Sequence, residues 1–411
     1  MELTRRQFFQ ETSGGVTLAA LAMLPIGQEQ AADPLGVRKD FAATSEYTCL
    51  NTAHMGLLPR PVVDAGRAWL DARARNAVEL DDMLAKTDEV RSRFARLIKA
   101  ADEEIGLLFS TTEGENLVVD ALDFKSGDNI VIDDLVFPST PVIDRRLEET
   151  KGVELRIARH RDGAVQVEDF ERLVDTKTRL VSVAWVSNLN GFRHDMRRLA
   201  DLAHTHGAYL YADAVQAVGM GPVDVREADV DFLCSGSYKW LLAGFGIAPF
   251  FVRQELLDRI RPDRAGWHVA KYLGNYRYEP YRDGRKYMFS CLAFGEAYQL
   301  AAALAYLEQI GLARIEQHTL ALTQQLRKGL VERGFRIFTP DGTRSSILSF
   351  FIKRPPADAA KLLEAARVKV SVENGDRTDD GSGSYVRVSL SLFNNAGDIQ
   401  RMLDVSDRLR V

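Results

Sequence analysis

The sequence predicts an α/β protein: a large, mostly parallel sheet covered by helices, continued by a smaller α+β part at the C-terminus. Two patterns carry this. Apolar runs at 105–109, 129–133, 180–186, 208–212, 230–234 and 246–252 alternate with helical stretches, as strands buried on both faces do. After residue 289 the order changes to two long helices (292–310 and 312–333), short strands at 336–338, 347–352, 368–372 and 386–392, and a closing helix near 395–408. The 411 residues, 46% of them hydrophobic, are enough for both parts. A formal charge of −5 with scattered Lys and Arg argues against nucleic acid and against a polybasic membrane surface, leaving a small-molecule substrate as the expectation.

At the N-terminus, Thr4-Arg-Arg-Gln-Phe-Phe9 precedes a short apolar stretch at 14–26 and a polar, small-residue stretch at 27–33. This resembles a twin-arginine export signal, too short in its apolar part to span a bilayer comfortably and without a lipobox cysteine. The expectation is passage through the twin-arginine translocation machinery to a periplasmic or secreted location, with no stable membrane insertion of the mature chain. Four segments follow: the leader (1–32), a segment packing on the smaller part (33–75, with a helix at 61–75), the large part (76–288) and the smaller part (289–411).

In open sheets of this kind ligands sit beyond the carboxyl ends of the strands, and that is where the chemistry-bearing residues fall. Phe109-Ser-Thr-Thr-Glu-Gly-Glu-Asn116 runs from a strand into a helix, offering hydroxyls and backbone N–H groups at a helix N-terminus, where phosphate binds. Phe137 follows the 129–133 run as a rigid aromatic able to stack on a flat ring. Asp213, in Tyr209-Leu-Tyr-Ala-Asp213, ends another run. Lys239, in Ser235-Gly-Ser-Tyr-Lys-Trp240, sits on a small-residue turn between two apolar runs, where desolvation favours the neutral, nucleophilic amine. A lysine for an aldehyde and a carboxylate for a ring nitrogen point to pyridoxal 5'-phosphate (PLP). Arg387, on the 386–392 strand, can hold a carboxylate through two parallel hydrogen bonds.

Other chemistries are disfavoured. Cys49, Cys234 and Cys291 lie far apart without CxxC spacing, which gives neither a disulfide framework nor a zinc site. His204 and His206 close a helix at 196–207, where cations are ordinary, so no metal is expected. No GxGxxG follows an early strand, which removes a nicotinamide enzyme.

In this order the motifs resemble the class V branch of the fold-type I PLP enzymes, the group of cysteine desulfurases, kynureninases and isopenicillin-epimerase-like proteins. The resemblance implies the PLP-dependent transferase fold, type I, and a homodimer. It gives Thr111 and Thr112 to the phosphate, with Ser110 where glycine is usual, and Tyr238 as a further phosphate contact of the kynureninase kind. Phe137 takes the ring face and Asp213 the pyridinium nitrogen. Asn188, in Ser187-Asn-Leu-Asn-Gly191, approaches the ring's 3-oxygen or the substrate, and Gln216 hydrogen-bonds the 3-oxygen. Arg387 takes the substrate carboxylate, while Asn51 and His54 lie in a segment that folds over the substrate. Two departures stand out. The loop at 372–385, expected to be mobile at 374–384, contains no cysteine, so a cysteine desulfurase using a loop cysteine is not expected. Cys291 stands where relatives place a threonine that reaches the neighbouring subunit's phosphate, which puts that contact in doubt. The implied activity is that of a PLP enzyme acting on a small amino acid through a Lys239 Schiff base, an aminotransferase or a carbon–sulfur lyase. An epimerase of the isopenicillin-epimerase type, or a non-catalytic amine binder, is the alternative.

Overall fold

A computed structural model describes residues 33–375 and 383–410; the stretch expected to be an export leader (1–32) and most of the 374–384 loop lie outside the described residues. Strand β1 (Thr48–Cys49) leads to helices α1 (Arg60–Ala74) and α2 (Leu80–Ile98). Strands and helices then alternate: β2 (Ile105–Leu108), α3 (Thr111–Ala121), β3 (Asn129–Asp133), α4 (Ser139–Lys151), β4 (Glu154–Ala158), α5 (Val167–Glu171), β5 (Thr178–Ala184), α6 (Met196–Thr205), β6 (Tyr209–Asp213), α7 (Val225–Ala228), β7 (Phe232–Cys234) and β8 (Ala248–Val252). A hairpin, β9 (Ala270–Tyr272) and β10 (Tyr278–Pro280), precedes the long helices α8 (Phe294–Ile310) and α9 (Leu312–Glu332). The chain closes with β11 (Ile347–Phe351), α10 (Pro356–Ala365), β12 (Val368–Lys369), β13 (Ser371–Glu373), β14 (Tyr385–Ser389) and α11 (Ala396–Ser406).

The main sheet has seven strands in the order β2-β8-β7-β6-β5-β3-β4. Only β8 runs antiparallel to its neighbours. The sheet's side chains alternate between two cores: Val131, Val181 and Leu233 face one, with Phe94 of α2 and Leu300 of α8, while Ile130, Ile132 and Phe232 face the other, with Val118 of α3 and Leu147 of α4. That two-sided burial is why the six runs read as continuously apolar. The seventh strand, β4, had no such run, because it is the edge and leaves Glu154 exposed and Arg156 partly so.

A three-stranded antiparallel sheet, β11-β14-β13, forms a third core with Leu326 of α9 and Ile399 of α11. The single strand expected at 368–372 divides here. Val368 and Lys369 pair in parallel with β1, whereas Ser371–Glu373 pair with β14, so that Ser371 lies opposite Arg387. The strand expected at 336–338 is reduced to one bridge, Ile337 to Phe350. A further bridge joins Asn51 to Ser389. These contacts bring the N-terminal segment and β14 together over the carboxyl ends of β5 and β6. Among the described residues no helix is long and apolar enough to cross a membrane.

Candidate active site

The turn after β7 carries Lys239 and is pinned from several directions. The Ser237 hydroxyl donates toward the carbonyls of Gly244 and Ile247 (2.6 and 2.8 Å), and the Gly236 amide donates to Thr111 Oγ1 at 3.0 Å. The Gly56 amide donates to the Tyr238 carbonyl at 2.9 Å, an approach so close that a Cβ on Gly56 would lie 2.0 Å from the Lys239 carbonyl oxygen. Lys239 is 5% exposed, and its amine makes no hydrogen bond or ion pair among the described residues. The amine lies 5.9 Å from the Phe137 ring centroid and 5.5 Å from that of Tyr238. Burial lowers its pKa to about 8; the Asp213 charge works against that shift and the Arg387 charge adds to it.

Asp213 ends β6, between Ala184 of β5 and Cys234 of β7, and its Oδ1 accepts from the Val215 amide at 3.0 Å. Burial raises its pKa, opposed by that amide and by Lys239. On α3, Ser110 caps the helix by accepting from the Glu113 amide (3.2 Å), while the Thr111 and Thr112 amides lie in the first turn, where the helix offers no internal acceptor. Tyr211 Oη donates to the Thr111 carbonyl at 3.2 Å and ties this turn to β6. Tyr238 stacks on Phe245 with centroids 4.2 Å apart. Phe137 is 43% exposed, which leaves a ring face free.

Arg387 reaches this site from the smaller sheet. Its NH1 group donates to the Asn188 carbonyl (2.8 Å) and its NH2 group to Ser371 Oγ (2.9 Å), which in turn donates to Asn51 Oδ1 (3.1 Å). Its Nε and the Asn188 Oδ1 are buried without hydrogen-bond partners. His54 lies on the exposed side, its pKa lowered by burial and by the Arg387 and Lys239 charges. Gln216 has both ends of its amide engaged: Nε2 donates to the Ala53 carbonyl (2.9 Å) and Oε1 accepts from Trp240 Nε1 (2.7 Å). One amide hydrogen is left for a ligand. Cys291 is exposed, and with Thr112, Phe109 and Arg264 it lines a cavity of about 680 Å³.

Two residues with a part in this arrangement escape the sequence reading. Ser371 bridges Arg387 to Asn51, but a lone serine in a strand carries no signal. Glu115 lies buried four residues beyond Thr111; an acid on an otherwise apolar helix face is the signal that could have found it.

The residues fit PLP. A helix N-terminus, a free aromatic face, a carboxylate and an unpartnered amine stand around one floor, and Asn188 Oδ1 and Arg387 Nε are orphaned polar atoms that a ligand would satisfy. Lys239 would hold the aldehyde carbon, Asp213 the ring nitrogen, Phe137 the ring face, and Thr111 and Thr112 the phosphate. Bound there, PLP supplies a carbonyl for an amine and an electron-poor ring that accepts electrons released at a substrate's Cα.

Fold and site together define a PLP-dependent enzyme of fold type I. The profile of the class-V aminotransferases matches residues 53–402, and the chain belongs to that family. It is 28% identical to a probable cysteine desulfurase of Pyrococcus abyssi, over 92% of this chain and 97% of that one. It is also 26% identical to the uncharacterized aminotransferase YcbU of Bacillus subtilis, over 82% and 89%. Among solved structures, the apo cysteine desulfurase of Thermococcus onnurineus superposes with a TM-score of 0.83 at 28% identity, covering 92% of this chain and 98% of that one.

These relatives correct one expectation. The cysteine-free loop led to the exclusion of a cysteine desulfurase, yet probable cysteine desulfurases align over nine-tenths of the chain and a cysteine desulfurase shares its fold. The physical reason is that a missing side chain in the 372–385 loop is one local departure, whereas the family match runs over residues 53–402.

Proposed function

We propose that the protein cleaves the carbon–sulfur bond of a small, cysteine-like amino acid. The observation that carries this is the Lys239 amine, buried, unpartnered and partly neutral near pH 8, between Asp213 and Arg387. In this reading Arg387 Nε and its neighbouring N–H groups take the substrate carboxylate, Asn188 orients the bound amine, and Lys239 removes the Cα proton. Asp213 keeps a proton on the ring nitrogen. Aminotransfer is the second reading, supported by the likeness to the Bacillus subtilis aminotransferase.

A product screen of PLP-loaded protein tests both. Sulfide or persulfide released from L-cysteine or L-cystine without a keto acid supports the lyase, and turnover that requires a keto acid supports aminotransfer. Racemised amino acid alone would make it an epimerase, and a spectral change without product a binder; either would overturn the proposal.

We further propose that the protein is a homodimer exported by the twin-arginine route, the support being the Thr4-Arg-Arg-Gln-Phe-Phe9 motif and the exposed Phe109, Phe245 and Trp267. A sedimentation mass of one chain would refute the first part. Export that survives Arg5→Lys with Arg6→Lys would refute the second.

A further inference from the structure

Directly behind the Thr111 turn lies a carboxyl that the proposed reaction does not use. Glu115 sits one turn beyond Thr111 on the same face of α3 and is 3% exposed. Its Oε1 accepts from Ser182 Oγ of β5 at 2.7 Å, and its Oε2 accepts from Thr140 Oγ1 of α4 at 2.9 Å. One side chain therefore joins the helix that carries Thr111 and Thr112, the helix that begins just after Phe137, and the strand beside Asp213. Ser182 lies opposite Tyr211, and Ala184 opposite Asp213. Tyr211 closes a second tie to the Thr111 carbonyl.

The groups facing Glu115 are acids and hydroxyls. Asp144, one turn beyond Thr140 on α4, is 2% exposed with neither oxygen hydrogen-bonded. Asp213 lies on β6, and Ser182, Thr140, Tyr211 and the Cys234 thiol complete the surroundings, while Glu148 on α4, ion-paired with Arg145, faces Asp144. Neither Glu115 nor Asp144 has an ion-pair partner among the described residues. Burial without a cation favours the protonated form of an acid, while the Ser182 and Thr140 hydroxyls favour the ionised one.

We propose that Glu115 is a positioning residue for the cofactor: its hydrogen-bonded carboxyl locks the phosphate-binding turn, the Phe137 turn and the Asp213 strand together, and while it holds a proton Asp213 is the one negative charge behind the ring. This rests on the PLP reading. Burial first, and then the Asp213 charge, raises the Glu115 pKa to about 7. Ionisation near neutrality therefore sets a second charge beside Asp213, which then holds its own proton more strongly.

The test compares Glu115→Gln and Glu115→Leu with the wild type by the pH titration of the bound cofactor's absorbance and circular dichroism, together with PLP affinity. The wild type is expected to show an inflection near pH 7. Glu115→Gln, which can accept from one hydroxyl and donate to the other, should lose that inflection and bind PLP within about twofold. Glu115→Leu keeps the volume but breaks both bonds, and should weaken PLP by about tenfold or more. An unmoved inflection in Glu115→Gln overturns the proposal even if Glu115→Leu fails to fold; so does wild-type PLP affinity in a folded Glu115→Leu. A wild type without a cofactor band would overturn the PLP reading itself, a result distinct from either.

Discussion

At the scale of single residues, the site is a set of charges balanced against burial. Lys239 is held near neutrality chiefly by desolvation, with Asp213 raising its pKa and Arg387 lowering it. Acylation of the apoprotein's Lys239, followed by peptide mass, should rise with pH to half its limit near 8. Arg387→Ala should move that midpoint upward and Asp213→Asn downward; a midpoint unmoved by both would show that these charges do not reach the amine. Arg387 is itself buried, with Nε unbonded, so Arg387→Ala should raise KM for an α-amino acid by about a hundredfold while PLP affinity changes little, as loss of a charged hydrogen-bonding partner implies. Lys239, Asp213 and Arg387 were legible in the sequence because each sits where an apolar run ends or alternates. The Gln216 tether to Ala53 and Trp240 was not, since it joins residues distant in sequence.

At the scale of elements, the site depends on turns that clamp one another. The β7 turn touches α3 through Gly236 and the N-terminal segment through Gly56. Gly56→Ala would place a Cβ 2.0 Å from the Lys239 carbonyl, against backbone that has no easy retreat. We predict a loss of about 1–3 kcal/mol in unfolding free energy and weaker PLP binding; a variant as stable as the wild type would show that the segment can move aside. The central strands were readable because burial on both faces leaves unbroken apolar runs. Strand β4 and the division of 368–372 into β12 and β13 were not, because an edge strand can be polar and because pairing with β1 or β14 is settled only in three dimensions.

At the scale of the whole molecule, buried acids make stability depend on pH. Glu115 has a folded pKa of about 7 against 4.5 for the free side chain. Between those values the folded state holds a proton that the unfolded chain has released, so stability falls as pH rises through the window. The cost above the window is about 3 kcal/mol. Chemical denaturation should therefore show Glu115→Gln gaining on the wild type between pH 4.5 and 7 and holding that lead above it; a constant difference would contradict the linkage. The family and the choice between aminotransferase and carbon–sulfur lyase were legible from motif order, whereas the exclusion of a desulfurase was not sound, because one side chain missing from the 372–385 loop is a local departure and the family match runs over residues 53–402. The most direct measurement of the account is borohydride reduction of PLP-loaded protein followed by peptide mapping. A pyridoxyl label on Lys239, lost in Lys239→Ala together with turnover, is the predicted result; a label on another lysine, or full activity in Lys239→Ala, would contradict it.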